Sequence, residues 1–194
     1  MVCVYTRAIE NQLDVAHLAY VHRTTIGADG RSFVEGPYVV ADQHGIQVWI
    51  SNAKDQGQTS RNQAQLAEAA KGKEPGLNLI FPGIWLLNLG LRLKNFIAFV
   101  PVNNQTTRYY LRVYHRIRNP LIAKIFEFFI RVSNRVIINQ DKLVVLAQTP
   151  PNSVDAHGDK LIGADRAISQ FRRIHARMLN RNDPVANAIE GESE

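Results

Sequence analysis

The sequence predicts one α+β domain in which an antiparallel sheet grips a long helix, and three observations carry that expectation. Apolar residues recur at helical intervals from residue 120 to 147, several segments between 33 and 115 alternate apolar and polar side chains, and the strands fall in runs instead of alternating with helices. At 194 residues the chain fits a single core, since domains commonly run to about 100–200 residues. Its 45% apolar and 21% charged residues exclude long disorder and fibrous repeats.

Residues 8–21 read as a helix, with Ile9, Leu13, Ala16 and Tyr20 at helical spacing, followed by a loop. Two strands, 33–40 and 45–50, are split by Asp42-Gln43-His44-Gly45 and predict a hairpin. Residues 51–76 are polar and rich in Ala and Gln, which predicts a long exposed excursion with at most one short helix. Three strands are expected at 84–89, 95–102 and 106–115; the last sets Tyr109, Leu111 and Val113 on one face and Arg108, Arg112 and Arg116 on the other. The helix from Pro120 to Ala147 carries one broad stripe of Ile122, Ile125, Phe126, Phe129, Val132, Val136, Ile137, Val144 and Val145, with Pro120 in its first turn and Pro150-Pro151 beyond its end. A second amphipathic helix, 165–179, places Ile168, Phe171, Ile174, His175 and Met178 on one side. The expected organisation is a domain over 1–181 and a flexible tail over 182–194.

The net charge of +6 and pI near 9.7 invite a nucleic-acid partner, but the basic residues are dispersed. Arg108, Arg112 and Arg116 sit at strand spacing, and Arg172, Arg173, Arg177 and Arg181 lie on the terminal helix, so they read as solvated faces and no nucleic acid is expected; an acidic redox partner would dock on the same surface. The opening residues lack a basic start followed by an apolar run, and the most apolar later stretch, from Pro120, carries Lys124 and Glu127, so neither a signal peptide nor a membrane span is expected. A lone cysteine, Cys3, excludes an internal disulfide and suits a reducing, cytoplasmic setting.

The chemistry concentrates between Glu10 and Arg23. Asn11, Asp14 and His17 recur every three residues, along one flank of a helix, while His22 follows His17 by five residues and would point roughly 140° away on an unbroken helix. Convergence of the two imidazoles therefore requires the helix to end or unwind near Tyr20–His22. A carboxylate would complete a metal site, and Asp141 falls with Ile137, Val144, Val145 and Gln148 on the face of the long helix expected to be buried. Two histidines and one aspartate leave open positions on an ion, the arrangement of non-haem iron(II) oxygenases. Spacing by itself leaves the alternatives standing: a buried histidine is commonly a hydrogen-bonded core residue, and Asp141 can pair with Lys142 or an arginine.

Asn-x-x-Asp-x-x-His-x-x-x-x-His from Asn11 to His22, Tyr20-Val21-His22 within it, and Gln140-Asp141-Lys142 downstream resemble the iron motif of the catalytic domain of Rieske non-haem iron oxygenases, nearest to the O-demethylase and pheophorbide a oxygenase-like branch. Phe81-Pro82-Gly83-Ile84-Trp85 and Phe99-Val100-Pro101-Val102 follow in the expected order, so the resemblance runs to about Leu179. It implies a helix-grip (START/Bet v 1-like) fold, Fe(II) held by His17, His22 and Asp141, and catalytic roles for Asp14 and Asn11, with Asp14 bridging the iron histidine to a Rieske-cluster histidine of a neighbouring subunit. A carboxylate that only fixes the tautomer of His17 is the simpler role for Asp14. The family's Cys-x-His and Cys-x-x-His segment has no counterpart here, and one cysteine cannot ligate such a cluster. The chain is therefore expected to carry no iron–sulfur cluster and to take electrons from a separate Rieske or ferredoxin-type donor, in a homotrimer or another assembly.

The expected function is monooxygenation, hydroxylation or oxidative demethylation with O2, of a hydrophobic ring-containing molecule held by Trp85, Leu87, Phe96 and Phe99. Two other classes compete. A helix-grip module could bind an apolar ligand with a vestigial metal site, or a zinc ion could drive hydrolysis with Asp14 as the base.

Overall fold

The structure, a computed structural model, describes residues 4–25, 30–90 and 93–181; the expected tail at 182–194 lies outside the described residues. Six strands form one antiparallel sheet in sequence order: β1 (Phe33–Ala41), β2 (Gly45–Ala53), β3 (Leu77–Ile80), β4 (Ile84–Asn88), β5 (Leu93–Asn103) and β6 (Thr106–His115). With α1 (Tyr5–Leu13), α2 (His17–Val21), α3 (Gln63–Ala70), α4 (Pro120–Ala147) and α5 (Arg166–Arg181), this is the α+β helix-grip arrangement.

The β1–β2 hairpin forms as expected because Asp42 Oδ1 accepts from the His44 and Gly45 amides at 2.8 and 3.0 Å. Gly45 then lets β2 approach β3, since a Cβ there would meet the Leu79 carbonyl oxygen at 2.4 Å. β3 is a strand that the sequence reading lacked. Its four residues are too few to establish a period, and its place between β2 and β4 supplies its hydrogen bonds. The polar excursion carries one short helix, α3, opened by a reciprocal cap between Asn62 and Gln65.

Ala8, Ile9 and Leu13 of α1 and Ala167, Ile168, Phe171 and Ile174 of α5 bury themselves against Ile46, Leu79, Trp85, Ile97 and Phe99 of the sheet. Beneath them, Glu10 pairs with Arg7 at 2.9 Å and with Arg172 at 2.6 Å, and Asp159 pairs with the same two arginines. Arg172 is thus half-buried in an ion-pair network, whereas Arg173, Arg177, Arg108, Arg112 and Arg116 do face solvent.

Two helical expectations change. The helix at 8–21 is two helices, and the chain between them, Asp14-Val15-Ala16, is extended at Asp14 (φ −70°, ψ 102°). α4 has the predicted bounds, with Asn119 accepting from the Leu121 and Ile122 amides and Pro120 in the first turn, but its stripe divides. Ile137, Val144 and Val145 turn inward with Asp141, whereas Ile122, Ile125, Phe129 (65% exposed), Val132 and Val136 face out. The inward face of the N-terminal half is taken by Ile130, Ser133 and Asn134. α4 packs on α1 and α2, and the space between it and the sheet is a cavity.

Candidate metal centre

The break after α1 creates the site. Asp14 Oδ1 accepts from the Ala16 amide at 2.9 Å and the His17 amide at 3.2 Å, so the carboxylate diverts the backbone and starts a new helix. His17 opens α2 and His22 caps its end. The interruption at 14–16, together with the end of α2 at His22, brings the imidazoles together, with centroids 5.1 Å apart and planes at 70°; Asn11, Asp14 and His17 do not line one continuous flank. Asp141 arrives from α4. His17, His22 and Asp141 are 9%, 1% and 4% exposed, and one ligand atom from each lies within 4.8 Å of the others.

Each imidazole is oriented by a carbonyl. His17 Nδ1 donates to the Asp14 backbone oxygen, and His22 Nδ1 donates to Gln140 Oε1 at 2.8 Å. A carbonyl only accepts, so both neutral rings carry hydrogen on Nδ1 and turn the Nε2 lone pair inward. There Asp141 Oδ1 lies 3.0 Å from His22 Nε2 and 3.6 Å from His17 Nε2. With neutral imidazoles Oδ1 has no donor, while Gln12 Nε2 donates to Oδ2 at 3.0 Å. Three electron-rich atoms converging in a buried pocket are stabilised by a cation between them. A proton meets that need in part. Burial opposes protonation of His22, yet its contacts with Asp141 and Gln140 outweigh burial and raise its pKa above the ordinary histidine value. Burial likewise opposes ionisation of Asp141, and interactions with His22, Asn11 and His17 overcome it, lowering the carboxyl below its usual range. The donor set, two imidazole nitrogens and one carboxylate oxygen, fits a divalent transition metal with further positions open.

Asp14 does not fix His17 through its carboxylate; its main-chain oxygen does so, and carboxylate Oδ1 accepts from backbone amides. Asn11 is buried beside Asp141 with Nδ2 lacking a partner. Gln12, which orients Asp141, was not singled out from sequence, and Gln140, which orients His22, was quoted only within Gln140-Asp141-Lys142 with no role assigned, because a glutamine's role depends on what folds against it. Among the described residues Asp141 pairs with His17 and His22 and not with Lys142.

The cavity beside the cluster measures about 480 Å³, within the range of small-molecule sites. Trp85 and Leu87 line it. Phe96 and Phe99 are not among its lining residues. Phe96 pairs with Leu86 and Arg112 on the opposite face of the sheet, and Phe99 stacks edge-on against Tyr109 in the core. Asn95 and Ile97, on either side of Phe96, face the cavity instead. A depression of about 670 Å³ near the β1–β2 turn and α5 is larger but includes none of the three ligands.

Comparisons with known proteins agree with this architecture. The family described as the vanillate O-demethylase oxygenase C-terminal domain matches residues 1–181. Similar folds occur in the oxygenase of a reduced oxygenase–ferredoxin complex of carbazole 1,9a-dioxygenase (TM-score 0.63, 16% identity, 91% of this chain and 52% of that one). They recur in the terminal oxygenases of carbazole 1,9a-dioxygenase from Nocardioides aromaticivorans IC177 (0.62, 13%, 89% and 54%) and from Novosphingobium sp. KA1 (0.61, 17%, 91% and 54%). The chain thus spans about half the length of these structures. No curated protein matches the sequence. Among the described residues no helix is long and apolar enough to cross a membrane. With the family match spanning the sheet, the long helix and all three converging ligands, the chain belongs to the vanillate O-demethylase oxygenase C-terminal domain family, the catalytic domain of Rieske oxygenases.

Proposed function

We propose that this chain is the catalytic domain of an iron-dependent monooxygenase that hydroxylates or oxidatively demethylates a ring-containing small molecule. The observation that carries the reading is the donorless, buried Asp141 Oδ1 facing the Nε2 atoms of His17 and His22. Held by these three residues, ferrous ion would supply dioxygen binding and redox chemistry beside the cavity. The chain's own residues do the rest. Gln12, Gln140 and the Asp14 carbonyl orient the ligands, Trp85 and Leu87 wall the substrate space, and the helix-and-sheet enclosure limits water. Electrons would come from a separate Rieske or ferredoxin-type protein, a reading supported by the oxygenase–ferredoxin complexes among the similar structures. Asp14, half-buried at the cavity wall, is the residue proposed to bridge toward that donor, with Asn11 beside the iron ligand Asp141. A homotrimer in the cytoplasm belongs to the same proposal, and the outward stripe of α4 is surface that self-assembly would cover.

The test is oxygen uptake by the purified chain, loaded anaerobically with ferrous ion and given a reductant plus a Rieske or ferredoxin-type donor. Uptake should depend on iron, donor and a ring-containing substrate, and should vanish in Asp141→Asn. Stoichiometric iron binding with no uptake under any donor would favour the non-catalytic binding module.

A further inference from the structure

An apolar ring would not need the polar atoms that line this cavity. Asn52 at the end of β2, Asn95 on β5 and Asn134 on α4 all face it, and each has a buried amide atom without a hydrogen-bond partner: Oδ1 of Asn52, Oδ1 of Asn95 and Nδ2 of Asn134. Asn134 is 7% exposed. It precedes Asp141 by seven residues, which on α4 returns it to within about 20° of the same face and sets it about 10 Å along the axis. Asn95 lines the same cavity from the sheet wall, in register with Leu87 and, through Leu87, with Leu77. Unpaired buried amides destabilise a fold, and apolar residues of similar size would pack these positions at no such penalty. Their presence together at one cavity is the mark of a ligand that completes them.

The unpaired atoms specify the ligand's chemistry. One acceptor, Asn95 Oδ1, and one donor, Asn134 Nδ2, call for a molecule that presents N–H toward Asn95 and C=O toward Asn134; Asn52, three strands from Asn95 and four residues beyond its register, is out of reach of the same edge. A carboxylate offers acceptors only and would leave the Asn95 oxygen unpaired; a plain arene satisfies neither atom. A ring amide carries N–H and C=O side by side, and an imide or ureide ring offers more than one such edge. Resting on the reading of this cavity as the substrate site, we propose that Asn95 and Asn134 determine specificity for a neutral cyclic amide (lactam, imide or ureide) of one or two rings. Its amide edge binds at the asparagines, and its oxidisable carbon lies toward His17, His22 and Asp141.

The experiment compares quinolin-2(1H)-one, which has the N–H and C=O edge, with naphthalene, which has the same two-ring size without it, by calorimetric titration of the whole chain with and without ferrous ion in the absence of dioxygen. The lactam should bind at least tenfold tighter to the native protein. Asn134→Leu and Asn95→Leu should each weaken lactam binding about tenfold or more, leave naphthalene binding unchanged or improved, and raise the ligand-free Tm. Equal affinity for both probes, or a lower Tm in either variant, overturns the amide assignment while keeping the cavity as a ligand site. Failure of the native protein to bind either probe overturns the substrate-site reading and this inference with it.

Discussion

Asp141→Asn tests the metal centre most directly, because it keeps the size of the side chain and removes the charge that faces the two imidazoles. An ion that binds only the folded chain stabilises it by RT ln(1 + [L]/Kd), about 2.7 kcal/mol at 100 times Kd. For a domain of this length each kcal/mol moves Tm by roughly 2–4 °C, so saturating ferrous ion should raise the Tm of the native protein by roughly 5–11 °C. The asparagine variant should show no metal-dependent rise over the same concentrations. It supplies at best a neutral amide oxygen where Oδ1 lies 3.0 and 3.6 Å from the two Nε2 atoms. Anaerobic scanning calorimetry with a ferrous titration reads the shift, and elemental analysis of desalted protein reads the stoichiometry. A variant that still binds one ion per chain with an undiminished Tm rise would show that the metal sits elsewhere and would refute the argument from Asp141.

In metal-free protein, Asp141 with its lowered pKa contributes stability above about pH 4 that is lost as pH falls through the lowered value, and His22 with its raised pKa contributes below about pH 6.5 and loses it as pH rises through the raised value. Tm measured in chelator should therefore peak between these limits, and His22→Gln should flatten the alkaline side; ferrous affinity should fall toward acid as protons compete for the imidazoles. Glu10→Gln leaves the buried Arg7 and the half-buried Arg172 short of a carboxylate, a loss of about 3–5 kcal/mol or roughly 6–20 °C in Tm, with iron stoichiometry unchanged. Asp14→Asn retains an oxygen to accept from the Ala16 and His17 amides, so Tm should stay within about 2–4 °C and iron should bind normally while donor-driven turnover drops; lost iron binding would assign Asp14 to the ligand scaffold alone.

Local pattern carried much of the fold. The period of α4 and the alternation of β6 arise from neighbours in the chain, and both elements stand where their residues predict. Elements that depend on distant partners were less legible. β3 is four residues held by β2 and β4, and the apolar residues of α4 do not declare which side faces a cavity until Asp141 and Asn134 are seen to share one. The same limit governs the pocket guesses. Phe96 and Phe99 differ by an odd number of positions, so no register could have placed both on the cavity wall. At the metal centre the three proposed ligands were readable from the motif, but the roles of Gln12 and Gln140 were not, since a glutamine in sequence carries no mark of the atom it will hold.

The break at Asp14 has a mechanical consequence. A helix of five residues is too short to persist unaided, and α2 makes few contacts beyond α4; its two ends are the histidines that meet Asp141 and Gln140. Without an ion, the inward lone pairs and the carboxylate repel unless a proton is taken up, so α2 is held by partners that also push against it. Metal binding converts that repulsion into attraction at both ends of the helix at once. Amide hydrogen exchange over residues 14–22 should therefore slow on ferrous loading by more than it does in α1 or β5, whose burial does not involve the ion. Uniform slowing across the chain would indicate global stabilisation only and would refute the coupling between α2 and the metal.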